Sequence, residues 1–235
     1  MATSYQIQIT MTQETIAQLK KSGFNLYAFK AVQNGNKDAA PLVWFKTQRD
    51  DLLTNTTINW SEQYQAFISN SQIISGGVVD GSNAADINLG QTANVDKDGN
   101  LDAVNKGNAL AISLNNPTQT PYQASGISEL VNYKLSPMIA LPLHGGTLEE
   151  FIPIEKVLLM FATPSVNTGT VIYQTYSEGV LVDLTTAQGT PKTRAIKYVV
   201  DKGWDWGLEN WGQSVAADED LVPILINPSS SRKRK

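Results

Sequence analysis

Apolar and polar residues alternate from the start of the chain. Tyr5-Gln-Ile-Gln-Ile-Thr-Met11 puts every second side chain on one face, the period of a half-buried strand. The period then lengthens. Thr12 reads as a helix N-cap, Glu14 falls in the first turn, Ile16 and Leu19 stand three apart, and Gly23 follows Lys20 and Lys21 as a stop. The pattern predicts one short helix, Thr12 to Ser22. Strand signals dominate afterwards: Phe24 to Val32, Leu42 to Thr47 beyond an Asn34-Gly35 turn, Thr56 to Trp60, Tyr64 to Ile68, and Ile73 to Val79 bent at Gly76-Gly77. Asp98-Gly99 joins Ala93–Val95 to Leu101–Val104. Further strands are expected at Ala109 to Leu114, Ile154 to Ala162, Thr170 to Thr175, Gly179 to Thr185, Arg194 to Val200 and Leu221 to Ile226. Periodicity alone leaves Ile154 to Ala162 open between a strand and helical turns.

Many short strands separated by turn residues predict an all-β, mainly antiparallel fold: a sandwich-like domain over residues 1–226 with one short N-terminal helix. Pro117, Pro121, Pro137 and Pro142 mark 115–146 as a long connection within that domain. Residues 227–235 read as a flexible basic tail.

Composition narrows the chemistry. The 235 residues include no cysteine, which excludes a thiol nucleophile, zinc–thiolate and iron–sulfur sites, and disulfides. The start of the chain lacks a basic-then-apolar leader, and no apolar run approaches the roughly 20 residues that span a bilayer. The expectation is a protein that is not transmembrane as made and is cytoplasmic, unless a non-classical route or cell lysis releases it. Arg232, Lys233, Arg234 and Lys235 contribute +4 to a formal net charge of −4, leaving −8 on residues 1–231. A body that acidic repels phosphates, so the folded part is not expected to bind nucleic acid.

The chemistry-bearing candidates are few. Asp96-Lys-Asp98-Gly99-Asn100-Leu-Asp102 has the acidic look of a calcium loop, but its glycine is fourth and the twelfth position is Gly107, so a tight Asp-Gly hairpin is favoured over a metal. His144 is the only histidine, and no Gly-x-Ser-x-Gly elbow accompanies it. Glu149, Glu150 and Glu155, like Asp201, Asp205 and Glu209, lie close in sequence, which does not place two carboxylates across a cleft. No glycine-rich phosphate loop or dinucleotide fingerprint is present, so no cofactor is expected.

The most unusual stretch is Gly203-Trp204-Asp205-Trp206-Gly207-Leu-Glu-Asn210-Trp211-Gly212, which holds three of the five tryptophans. Trp204, Trp206 and Trp211 could stack on sugar rings while Asp205 and Asn210 bond hydroxyls, or the indoles could sit at a membrane interface. The same alternation suits a strand that packs Trp204 and Trp206 into the core, the commoner use of tryptophan. Trp44 and Trp60, inside strands, read as structural.

Gly23-Phe-Asn-Leu-Tyr-Ala-Phe-Lys-Ala-Val32, Leu42-Val-Trp44, Trp60-Ser-Glu-Gln-Tyr-Gln-Ala-Phe67, Pro153-Ile-Glu-Lys-Val-Leu-Leu-Met-Phe161 and Val180-Leu-Val-Asp-Leu-Thr185 resemble stretches of a group of uncharacterised, mainly fungal proteins. The resemblance implies a β-rich fold and carries no activity. The sequence therefore leads to a non-enzymatic binding protein recognising a glycan or membrane surface, with a toxin-like or pore-forming variant. Two alternatives stand beside it: a self-assembling β protein, which would be a homo-oligomer, and a carboxylate-dependent hydrolase. The balance is against an enzyme.

Overall fold

In the computed structural model, which describes residues 2–81, 83–207 and 209–226, the opening alternation becomes a strand. β1 (Ser4–Thr10) turns Tyr5, Ile7 and Ile9 inward and leaves Gln6 and Gln8 half-exposed. The helix α1 (Gln13–Ser22) follows. Its cap residue Thr12 accepts the Thr15 backbone N–H on its hydroxyl at 3.1 Å. Gly23, at φ 79°, closes the other end by donating its N–H to the last carbonyls, a left-handed conformation that glycine adopts without a Cβ clash.

The remaining elements are β2 (Asn25–Gln33), β3 (Ala40–Pro41), β4 (Phe45–Thr47), β5 (Asn55–Ser69), β6 (Asn83–Ile87), β7 (Thr92–Val95), β8 (Leu101–Val104) and β9 (Ile112–Asn116). β10 (Tyr122–Val131), β11 (Lys134–Leu143), β12 (Thr147–Ala162), β13 (Gly179–Asp183), β14 (Lys192–Val199), β15 (Gly203–Asp205), β16 (Gly212–Val215) and a five-residue helix α2 (Leu221–Leu225) complete the chain. About 52% of the residues are strand and 8% helix, which makes the class mainly β. One sheet runs β15-β14-β1-β5-β10-β11-β3, with β6 added along β5. The other runs β16-β13-β12-β9-β7-β8, with β2 and β4 on the opposite side of β12. Most ladders are antiparallel, but β1 pairs with β14 and β7 with β9 in parallel, so both sheets are mixed.

The two sheets share one apolar interior. Ile7, Ile58, Ala66 and Ile127 from the first belong to one buried cluster with Phe151, Val157 and Val182 from the second. A smaller cluster of Leu42, Phe67, Val79, Ala124, Ala140 and Val171 forms separately. Phe67 alternates with Ala66 and Ile68 along β5, so this second cluster covers the other face of the first sheet.

Several expected elements differ, each for a local reason. The stretch 115–146, read as a connection because of its prolines, contains β10 and β11, a hairpin central to the first sheet. Pro137 sits at a register shift in that hairpin, where the ladder is already interrupted, so the strand tolerates it. Ile73–Val79 and Thr170–Thr175 are not strands. They fold over the second cluster through isolated bridges, Val78 to Thr170 and Leu42 to Val171. Leu221–Ile226 was expected as a strand and is α2, because Asp220 caps the N–H of Val222 at 2.9 Å. Ile154–Ala162, left open, is the second half of the 16-residue strand β12. The basic tail, 227–235, lies outside the described residues.

β10 and β11 approach unusually closely at Gly126. A Cβ built there would lie 2.0 Å from the Ile139 carbonyl oxygen and 2.8 Å from the Phe67 ring. Gly126→Ala is therefore expected to lower stability by roughly 1–3 kcal/mol, the usual cost of overpacking. Urea unfolding checks it: the midpoint should fall while the slope stays unchanged.

Candidate functional site

Two long strands bend where extra residues enter their ladders. Between the pairs Tyr64–Glu129 and Ser61–Leu130, β5 carries Glu62 and Gln63 with no partner on β10. Between Ile154–Ala31 and Val157–Lys30, β12 carries Glu155 and Lys156 with none on β2. Bulges of this kind re-aim the side chains beside them. Here Glu155, from the β12 bulge, reaches Lys30, and Glu129 is the β10 residue that borders the β5 bulge.

The Lys30 ammonium, with no exposed surface, donates to both oxygens of Glu129, at 2.9 and 3.2 Å, and to Glu155 Oε2 at 2.9 Å. The Trp60 indole N–H also donates to Glu155 Oε2, at 3.0 Å. Lys30 and Glu155 come from the second sheet, Glu129 and Trp60 from the first, so the cluster ties one sheet to the other. Aromatic rings enclose it. The Lys30 nitrogen lies 5.2 Å from the ring centre of Trp60, 5.5 Å from Trp44 and 5.9 Å from Tyr5. Tyr5 stacks on Trp60, and Trp44 meets Trp60 edge-on.

Burial pushes the Glu129 carboxyl up to about 8, against the pull of Lys30 and with the push of the neighbouring Glu155 charge. Burial alone would lower the Lys30 ammonium, but the two carboxylates together outweigh it and hold it above the usual lysine value. Tyr5 and Tyr64 are raised, first by burial and then by the same carboxylates. The cluster thus keeps its lysine charged and favours a proton on the more deeply buried acid.

Directly outside this enclosure is the β10–β11 turn. Asn132 (φ 42°) and Tyr133 (φ 64°) both occupy the left-handed region, the two-residue turn that suits the twist of a hairpin. Asn132 secures it by exchanging hydrogen bonds with Asn59, its own N–H to the Asn59 carbonyl and its side-chain oxygen from the Asn59 N–H, both 2.8 Å. Tyr133 is 98% exposed. On one side of Asn132 is a depression of about 320 Å³ lined by Tyr5, Asn59, Trp60, Tyr133 and Thr190. On the other side is a larger one of about 690 Å³, lined by Trp44, Lys46, Asp51, Lys134 and Asn167. The Trp44 indole N–H is buried and has no hydrogen-bond partner among the described residues.

The tryptophan-rich segment predicted as a site lies elsewhere, on β15 and the loop to β16. Trp204 is half-buried, stacked on Phe161 at 5.3 Å and tilted against Tyr198 at 4.8 Å. Trp206 is half-buried, donates its indole N–H to the Glu209 carbonyl and leans on Gly212. Trp211 is buried, with the Arg194 guanidinium 5.1 Å above its ring. Asp205 and Asn210 are exposed, and Asp205 accepts the Gly207 N–H at 2.9 Å. Each indole therefore makes packing contacts, while the polar pair faces solvent.

The other candidates are held by their own loops. Asp96 accepts the backbone N–H groups of Asp98 and Asn100 and the Asn100 amide, closing the expected turn. His144 is exposed, and Glu149 accepts the Asn36 amide at 3.1 Å. Asp201, Asp205 and Glu209 are all exposed. Of the carboxylates singled out in the sequence only Glu155 joins the buried cluster; its partners Lys30 and Glu129 were missed. Their signal was present in part: each is the single charge of its strand, and Lys30 stands among apolar residues where a charge survives only if paired. No protein-family model, curated protein or solved structure matches the chain, so the fungal resemblance gains no further bearing.

Lys30→Met leaves two carboxyl groups side by side without a counter-charge. It is expected to cost about 3–5 kcal/mol, against about 0–1 kcal/mol for Lys156→Ala, which breaks the half-buried pair with Asp183. The sign with pH follows. Without Lys30 the already raised Glu129 carboxyl rises further, so the folded state holds protons that the unfolded chain has lost above its ordinary value near 4.5. Lys30→Met should accordingly be less stable at pH 8 than at pH 5, by a wider margin than Lys156→Ala, in urea unfolding at both values.

Proposed function

We propose that the protein is a non-enzymatic binding protein whose β10–β11 turn receives a glycan. The observation that carries this reading is Tyr133, an aromatic residue 98% exposed and held at φ 64° beside an amide-lined depression. A bulky residue in the left-handed region costs free energy, and such strain persists where the side chain is used. An exposed ring beside Asn59, Ser61, Asn132 and Thr190 offers the two contacts a sugar needs: an apolar face and neutral groups that bond hydroxyls. The larger depression beyond Asn132 provides room for a second sugar unit.

Other observations favour this reading over its alternatives. The buried carboxylates Glu129 and Glu155 converge from distant parts of the chain, as a hydrolase would require, but Lys30 and Glu129 have no exposed side-chain surface for a substrate to meet. The terminal strands of the two sheets, β15, β3, β16 and β8, are two to four residues long, and β3 ends in Pro41, which blunts pairing between copies.

A glycan array with the purified chain, followed by calorimetry on the best ligand, tests the proposal. Tyr133→Ala should weaken binding roughly tenfold or more with unchanged unfolding, because its side chain packs on nothing inside. Equal loss in Trp204→Ala with Tyr133→Ala unaffected would move the site to the tryptophan segment. An empty array together with binding to lipid vesicles would replace the glycan with a membrane surface.

A further inference from the structure

The buried cluster is an amine, a carboxyl group and a second acid held together away from the surface. The Lys30 nitrogen touches both oxygens of Glu129, which places it against the carboxyl carbon as well. Glu155 Oε2 contacts the same nitrogen and also accepts the Trp60 indole N–H. Tyr5, Trp44, Trp60 and Tyr64 are each at most 5% exposed and shut the cluster off from bulk solvent. Glu155 alone retains an outlet, its side chain being 13% exposed.

We propose that the Lys30 amine and the Glu129 carboxyl group condense into an intramolecular amide bond, with Glu155 as the proton carrier. The step balances without a cofactor. A proton passes from the ammonium to the Glu129 carboxylate, giving neutral amine and neutral acid. The amine lone pair attacks Glu129 Cδ and the C–N bond forms. Glu155 takes a second proton from nitrogen and returns it to the departing hydroxyl. The C–O bond breaks, its electron pair leaves with oxygen, and one water departs past Glu155. Nothing is oxidised or reduced, and Glu155 is regenerated.

Three physical arguments favour the bond. Holding the two groups in contact replaces a bimolecular encounter with an intramolecular step, in which the amine has only to move from the edge of the carboxyl group to its face. Exclusion of water opposes the reverse hydrolysis. The product removes a buried charge pair, whose desolvation is costly, and leaves a neutral amide. The rise of the Glu129 carboxyl with burial favours the neutral acid that is attacked, while the two carboxylates hold the proton on Lys30, so transfer of that proton to Glu129 is the demanding part of the step.

Mass spectrometry of the full denatured chain tests the proposal. The wild type should be about 18 Da lighter than its sequence mass, one water, and trypsin should release residues 22–37 joined to 107–134 with Lys30 uncut. Glu129→Gln should lose about 17 Da instead, as ammonia leaves in place of water. Lys30→Met and Glu155→Gln should keep their full masses; Glu155→Gln, the nearest match in shape, should do so with an unchanged near-ultraviolet circular dichroism spectrum. A folded wild type that stays at full mass after prolonged incubation would overturn the bond. Cross-linking of Glu155→Gln at the wild-type rate would overturn the role of Glu155.

Discussion

An ammonium group cannot sit inside a protein without opposite charge, and in this fold that requirement is met from both sheets at once. Lys30 projects from β2 in the second sheet, and its partner Glu129 comes from β10 in the first. Separating the sheets would expose or strand all three charges. The apolar residues around the cluster could tolerate small displacements, since dispersion contacts are non-directional. The charge pair could not. The relative position of the two sheets is thus set at one point by directional bonds and elsewhere by packing.

The geometry of that point depends on irregularity. Lys30 follows the ordinary alternation of β2, whereas Glu155 lies among the extra residues of β12. Extra residues in β5 and β12 interrupt both ladders at the same level of the interior. Residue 129 is then two positions from Val131, the last paired residue before the exposed turn. The buried cluster and the outer depressions are therefore joined through one short piece of β10, and Trp60, Trp44 and Tyr5 contribute to both.

The parts of this arrangement that follow local rules were legible in the sequence. Thr12 and Gly23 bounded α1, the alternation of Tyr5, Ile7 and Ile9 oriented β1, and Asp98-Gly99 formed its turn. Long-range pairing carried no such mark. Prolines at 137 and 142 suggested a loop because a register shift on a partner strand cannot be seen from the prolines themselves. Leu221 to Ile226 is apolar enough for a strand, and the cap at Asp220 decided otherwise. Of the site, Glu155 was visible only as one acid among several. Lys30 stood inside Phe24 to Val32, and Glu129 inside a stretch taken for a connection; what they share is a contact across 99 residues of chain. Tyr133 was invisible for a different reason. Asn-Tyr is an uncommon choice for a turn in which both residues adopt positive φ, and glycine is the usual signal.

That last choice has an evolutionary side. At Tyr133 the backbone alone would be more comfortable with glycine, which reaches φ 64° without a Cβ penalty. The ring, almost wholly in solvent, returns nothing to the folding of its own chain. Random substitution acting on stability alone would drift this position toward glycine or asparagine. A tyrosine that stands there in many related chains would mean that something outside the molecule has been holding it in place.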